Sequence, residues 1–362
     1  MANRRLTDLF LELAKLDGLP GKEAQVASRL LSFLKNLGFQ ARADGSAAAA
    51  LSNTSNVVCH VGGGGTFALL AHMDTLRHTS RVKQVLSSDR ITGEGGAPGA
   101  DGRASLAAVL YALERAVSVN QPLRPFTLAF TTRGCGNTAG AKHLELPPGV
   151  RSAFVLAPGL PVGSYTVSSP GIAIFSADVL GRAADAAAPE QGVCAISIAA
   201  RAIAAFPWGR HDSDTTSNIG TIAGGAGTAI VPPAALARGQ VRAMEEGKAL
   251  PLLERIKGEF ERAASAAGGG AAFKWSWEYA PYAHAEGADL CRQAELAIRG
   301  AGLVPVPAGS APGGEANAIN ARGVPALALG TGVMQPGSAG EYILLEDMAR
   351  TAELVWQFIK RP

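Results

Sequence analysis

The sequence predicts an α/β protein built on a mostly parallel sheet, with a smaller α+β domain inserted into it. Two patterns carry this. Continuous apolar runs at residues 67–71, 125–132, 152–156 and 325–329 alternate with amphipathic helical spacings, and strands buried on both faces are what a helix-covered parallel sheet requires. Between them, after the composition shift at Gly159-Leu160-Pro161-Val162-Gly163, strands with period-two alternation gather around two helices, the habit of an antiparallel sheet covered on one side. The boundaries read as 1–163 and 284–362 for the discontinuous main domain and 164–283 for the insertion.

Taken in order, the chain opens with two helices. Thr7 can cap the first, whose apolar face is Leu9, Phe10, Leu13 and Leu16, and Gly18-Leu19-Pro20-Gly21 stops it. The second runs from about Glu23 to Leu37, presents Val26, Leu30, Phe33, Leu34 and Leu37 on one face, and ends at Gly38. Residues 40–44 and 55–60 are strand-like and lead into the buried strand at 67–71. Leu106, Val109, Leu110, Leu113 and Val117 then mark a helix with Asp101 at its N-terminal entrance, where the helix dipole favours a carboxylate. A strand at 125–132, a short helix at 139–144 and a strand at 152–156 complete the first half.

The insertion reads as an edge or half-exposed strand at 172–180, a helix at 191–206, strands at 219–222 and 235–244, and a long helix at 248–267. A strand at 272–279 closes it, with Phe273, Trp275 and Trp277 on alternate positions and packing in the sheet as the expected role. A helix at 287–300, a turn-rich segment at 308–315, a strand at 325–329 and a helix at 345–359 follow.

Composition narrows the function classes. With 362 residues, 47% hydrophobic and 17% charged, the chain can bury two cores. A formal charge of +3 is too small to imply nucleic acid or a membrane surface, which leaves a small-molecule or peptide partner. No apolar run approaches a membrane span and the N-terminus lacks the apolar centre of a signal peptide, so a cytoplasmic location is expected. Cys59, Cys135, Cys194 and Cys291 are dispersed; no disulfide framework or zinc knuckle is signalled, and each reads first as a small buried residue.

The stretch at 67–101 carries the chemistry. His72 and Asp74 end a buried strand at a spacing of two, which puts both side chains on one face, and Asp101 adds a carboxylate at a helix entrance. That is how an α/β protein begins a metal site. Ala71-His72-Met73-Asp74-Thr75, Gly99-Ala100-Asp101, Phe130-Thr131-Thr132 leading to Gly140-Ala141, Gly192-Val193-Cys194-Ala195-Ile196, Thr216-Ser217-Asn218-Ile219-Gly220, Ile230-Val231-Pro232, and Leu329-Gly330-Thr331-Gly332 through Glu341-Tyr342 follow one another in an order that resembles the di-zinc exopeptidase family of peptidase T, carboxypeptidase G and the aminoacylases. The resemblance covers essentially the whole chain. It implies a zinc-exopeptidase-like three-layer αβα domain interrupted by an α+β lid that often mediates dimerisation, hence a homodimer through the insertion.

Roles transfer residue by residue. His72 matches the first zinc-ligand histidine, Asp74 the carboxylate that orients it, and Asp101 the aspartate bridging the two metals. The remaining positions depart. Where the family has a Glu-Glu pair, general base then ligand, the chain has Gly134 and Cys135; the aspartate completing the first metal site falls at Ala157; the last histidine ligand falls at about Gly337; the lid histidine that polarises the substrate carbonyl falls at Asp185. A catalytic zinc typically needs three protein ligands plus water, and losing a general base alone costs roughly 10²- to 10⁴-fold in rate. Hydrolysis by the family mechanism is therefore expected to be lost, with the fold retained to bind a small peptide or amino-acid-like ligand or to serve as an interaction subunit. No cofactor is expected on this reading. The alternative is an active exopeptidase or N-acyl-amino-acid amidohydrolase with one zinc ion on a remodelled site of His72, Asp101 and Cys135, an open N/O/S set.

Other candidates carry less. Asn218 and Arg238 or Arg242 fall in lid segments where the resemblance places contacts to a substrate carboxylate, a role guanidinium suits, or support for the dimer. His211-Asp212-Ser213-Asp214 lacks the completing glutamate of a calcium loop and reads as a solvated loop. His60, His78, His143 and His284 read as surface or packing residues, and Glu315 as a structural hydrogen-bonding residue in a cleft loop. A nucleophilic pair of Cys135 and His72 is a further option. There is no G-x-S-x-G elbow and no phosphate-binding P-loop.

Overall fold

A computed structural model describes residues 4–309 and 313–361. The described residues divide into two compact units, one of residues 4–167, 284–309 and 314–361, the other of Ser168–Ala283 with Gly313.

The first unit is organised by its sheet. Strands Val57–Val61, Phe126–Thr131, Phe67–His72, Ser152–Ala157 and Ala326–Gly330 lie side by side in that order. The pairings of Phe67–His72 with both neighbours, and of Ser152–Ala157 with Ala326–Gly330, are parallel. Antiparallel strands flank this centre. All six residues of Phe67–His72 and of Phe126–Thr131 are buried, because helices cover the sheet and every side chain meets apolar neighbours. Phe67 stacks on Phe126 at 5.5 Å between centroids, and Phe154 meets Phe358 of the closing helix Leu345–Ile359 at 4.5 Å. The parallel register pairs His72 with Thr131. The residues after both strands therefore emerge together at the carboxyl edge of the sheet, where open α/β sheets bind ligands.

Several expectations are corrected. The first helix starts at Arg4 and holds Thr7 inside it, buried, so Thr7 is not its cap. The polar stretch after Thr75 contains a hairpin, Lys83–Leu86 with Arg90–Glu94, to which Tyr342–Leu344 adds a third strand. Its half-exposed polar residues hide it from apolar periodicity. Further strands at Ser164–Ser169 and Val306–Gly309 also escaped it. The helix Ala100–Ser118 is broken at its start: Asp101 has ψ 117° and Gly102 φ +85°, so Asp101 stands at a kink. A Cβ at Gly102 would lie 2.7 Å from the Asp74 carbonyl oxygen, which with the positive φ makes glycine necessary there. In the turn-rich segment 308–315, residues 310–312 lie outside the described residues, and Glu315 opens a short helix, Glu315–Asn320.

The second unit is a five-stranded antiparallel sheet carrying the helices Ala195–Ala205 and Glu246–Ala266. Gly171–Leu180 lies between Ala234–Ala243 and Gly270–Tyr279; it is an interior strand and not an edge, and alternates because only one face is helix-covered. Phe273, Trp275 and Trp277 pack against this core, and Phe273 stacks on Phe175 at 5.3 Å.

Candidate functional site

At the carboxyl edge of the main sheet, His72, Asp74, Asp101, Cys135 and Glu315 gather. His72 ends its strand with 5% exposure, and Asp74, two residues on, is fully buried. His72 Nδ1 lies 3.1 Å from the Asp74 carbonyl and 3.2 Å from Asp74 Oδ1. Both partners only accept, so Nδ1 carries the proton. The Asp74 carboxylate in turn accepts the backbone N–H of Gly134 on Oδ1 at 2.8 Å and that of Cys135 on Oδ2 at 3.0 Å. Asp74 thus fixes both the imidazole and the turn after the Phe126–Thr131 strand.

The other ring nitrogen faces Asp101. His72 Nε2 lies 3.0 Å from Asp101 Oδ1, yet that buried oxygen has no hydrogen-bond partner in acceptable alignment. Cys135 Sγ, half-buried, lies 3.6 Å from His72 Nδ1, 3.6 Å from Asp101 Oδ2 and 3.7 Å from the Asp74 carbonyl oxygen. Donor atoms of His72, Asp74 and Cys135 all fall within 4.8 Å of one another. Burial, reinforced by Asp101 and Asp74, pushes the Cys135 thiol above its ordinary value against the pull of His72. Burial alone would lower the His72 pKa; Cys135 and the two carboxylates outweigh it and hold the imidazole well above its usual range.

Two residues escaped the sequence reading. Arg103 is wholly buried, its Nη1 donating to the Met73 carbonyl and its Nη2 to that of Leu16 at 2.9 Å. Burial lowers its pKa to about 10, opposed by Asp74, Cys135, Asp17 and Asp101, so it stays a cation. A charge set in an otherwise small and apolar helix run was the signal. Glu315 was read as a structural hydrogen-bonding residue, but both its oxygens are buried without a partner. Its carboxyl is pushed up to about 7 by burial, against His72 and the Thr131 hydroxyl and with help from Asp74 and Asp101.

The positions carried over from the resemblance are equally clear. Gly134 sits against the imidazole: a Cβ there would lie 2.3 Å from His72 Cβ and 3.2 Å from Glu315 Cδ, so no glutamate fits. Ala157 ends its strand, with its carbonyl accepting from Thr331 N and Oγ1 at 3.2 and 3.1 Å. Gly337 adopts φ +71° and donates to Glu341 Oε2 at 2.7 Å. The adjoining Arg133, Gly136, Leu156 and Pro158 offer no carboxylate or imidazole. The residues present therefore do not fit a two-metal centre. For a single ion, the donor-less Asp101 Oδ1 beside Nε2 is a fitting feature.

In the second unit, Asp185 is exposed and bridges to Ile230. Asn218, Arg238 and Arg242 lie in adjacent strands, with Asn218 opposite Gln240, and share the sheet face turned away from the helices. His211 Nε2 meets Ser217 Oγ at 2.7 Å, and Asp214 pairs with Lys248 at 2.7 Å, contacts of a solvated loop. His60, His78 and His284 bond Thr127, Asp17 and the Ala326 carbonyl, and His143 is exposed.

Known proteins share this fold. The curated Bacillus subtilis protein YqjE, itself uncharacterised, is 29% identical over 363 residues, covering 99% of this chain and 98% of its own. The crystal structure of aminopeptidase PepT from Bacillus cereus superposes with a TM-score of 0.85 at 30% identity, over 98% of this chain and 97% of that one. A tripeptidase from Staphylococcus aureus gives 0.88 at 27% identity, over 99% and 97%. The model of peptidase family M20/M25/M40 matches residues 68–361. With a match over most of its length and a fold shared end to end with PepT, the chain belongs to peptidase family M20/M25/M40.

Proposed function

We propose that this chain has given up the two-metal hydrolysis its family resemblance implies and keeps the PepT-like fold to bind a small peptide or amino-acid-like ligand. The carrying observation is the packing at Gly134, where a Cβ would lie 2.3 Å from His72 Cβ. An acidic side chain at that position is excluded by the neighbouring atoms, beyond being absent from the sequence. Without a general base or a full ligand set, the machinery that makes hydroxide at neutral pH is incomplete, whereas sheet, turns and core are intact.

On this reading Arg238, Arg242 and Asn218 anchor the ligand's carboxylate end, since a planar guanidinium pairs well with carboxylate. The four free cysteines suit a reducing cytoplasm, and the second unit's sheet serves a homodimer, which light scattering would test. The deciding experiment is a thermal-shift and calorimetric screen of di- and tripeptides and N-acyl amino acids, with and without zinc, beside a tripeptide cleavage assay. Metal-independent stabilisation without cleavage is expected. Cleavage that requires two zinc ions per chain would overturn the proposal.

A further inference from the structure

A cavity of about 370 Å³ opens at the end of the main sheet away from His72. Its floor includes Phe67, the first residue of the strand that His72 ends, so roughly 16 Å of extended chain, at about 3.3 Å per residue, separates it from the carboxyl-edge site. The volume falls within the range of small-molecule sites, about 300–1,000 Å³. Three segments build it. Gln293, Leu296 and Ala297 come from one face of the helix Asp289–Gly300, and Gln357 and Phe358 from the last turn of Leu345–Ile359. Arg124 and Lys360 complete the lining. The backbone ties their segments together: Leu123 bridges Lys360 in the antiparallel sense, and Arg124 N donates to the Ile359 carbonyl at 2.8 Å.

The chemistry of this lining is one-sided. Phe67, Phe358 and Ala297 are buried and form an apolar floor, the two rings standing 6.3 Å apart and tilted at 42°. Two cations and two amides surround it, and no carboxylate. Arg124 lies over the Phe67 ring, its guanidinium carbon 5.2 Å from the centroid, which holds the cation against an apolar surface. Its Nη1 reaches the Phe358 carbonyl at 3.5 Å, the outer limit of a hydrogen bond. Among the described residues, neither Arg124 nor Lys360 forms an ion pair. Glu353, which accepts from the Gln357 amide at 2.7 Å, is committed to Arg115 at the same distance. At the mouth, Leu296 is 69% exposed.

Unpaired cations over an apolar floor suit a ligand with an anionic head and an apolar body. We propose that this cavity binds a small aromatic carboxylate, its ring against Phe67, Phe358 and Leu296 and its carboxylate between Arg124 and Lys360. A guanidinium offers paired N–H donors that match a carboxylate, and an ammonium adds a point charge. The tilted pair of phenyl rings favours an aromatic body, which can meet them edge to face. This site goes beyond the reading of the carboxyl edge and does not depend on it.

The test uses the whole chain with phenylpropanoate, followed by calorimetry and by NMR of the backbone amides. Saturable binding of one molecule per chain is expected, with shifts at Arg124, Leu296 and Phe358 and none at His72 or Gly134. Phenylpropanamide, which keeps the ring without the charge, and acetate, which keeps the head without the ring, should each bind at least about tenfold more weakly. Lys360→Gln should weaken binding of the acid by about three- to tenfold and leave the amide unaffected. Leu296→Trp, at an exposed position, should obstruct the mouth and weaken both. No binding at millimolar acid, equal affinity for acid and amide, or shifts centred on His72 and Gly134 would each overturn the proposal. All three outcomes leave the reading of the carboxyl-edge site standing, because peptide binding and cleavage there are measured separately.

Discussion

Glu315 and Gly134 compete for one volume: the carboxyl carbon of Glu315 stands 3.2 Å from the point a Gly134 Cβ would occupy. The same Cβ would lie 2.3 Å from His72 Cβ, so shortening Glu315 cannot make room. Gly134→Glu should therefore destabilise the chain by about 1–3 kcal/mol, as overpacking does, and Glu315→Gly added to it should not rescue stability. Urea unfolding of the single and double variants measures both, and a double variant as stable as the unaltered chain would refute the steric argument.

Stability should fall as pH rises through the Glu315 titration. Its carboxyl is held at about 7 against an ordinary value of 4.5, so between those values the folded chain binds more protons than the unfolded one. The contribution is fully present below pH 4.5 and is lost progressively up to about pH 7, amounting to about 3 kcal/mol. Glu315→Gln should flatten this part of the profile, seen by comparing urea midpoints of the two proteins at pH 5 and pH 8. Equal slopes in both proteins would count against a buried, unpartnered carboxyl.

Removing the Arg103 charge should be among the most damaging single changes. Arg103→Met fills much of the same space but strips the Met73 and Leu16 carbonyls of their donors and leaves Asp74 and Asp101 without their buried cation. A loss of about 3–5 kcal/mol is expected, with the His72 environment altered in NMR spectra of the imidazole.

Glu341 ties two distant loops together. Its Oε1 accepts from Ala100 N at 2.6 Å and its Oε2 from Gly337 N at 2.7 Å, and burial raises its pKa. Glu341→Ala orphans both N–H groups beside Asp101 and should cost about 1.5–3 kcal/mol. Hydrogen exchange should show the amides of Ala100 and Gly337 losing protection while the Phe67–His72 strand keeps its own.

What was legible in the sequence followed burial. Strands at Phe67–His72, Phe126–Thr131 and Ser152–Ala157 announce themselves because every side chain is apolar or packed, whereas Lys83–Leu86 and Arg90–Glu94 are held by pairing with each other and with Tyr342–Leu344, which leaves no local period to read. In the site, His72 and Asp74 were visible because a spacing of two reads as one strand face, although the strand itself ends at His72 and Asp74 lies just beyond it. Glu315 reaches the same place from the far end of the chain, and only tertiary folding brings it beside Gly134. A carboxylate directly ahead of the buried run Ala316, Ala318 and Ile319 was the available hint.

The buried guanidinium of Arg103 gives the site a permanent resident charge. A pocket whose carboxylates answered only to a bound metal would carry unbalanced like charge whenever that metal was absent. Here the counter-ion is encoded in the helix and cannot dissociate. It offsets part of the charge of Asp74 and Asp101 independently of any bound ion.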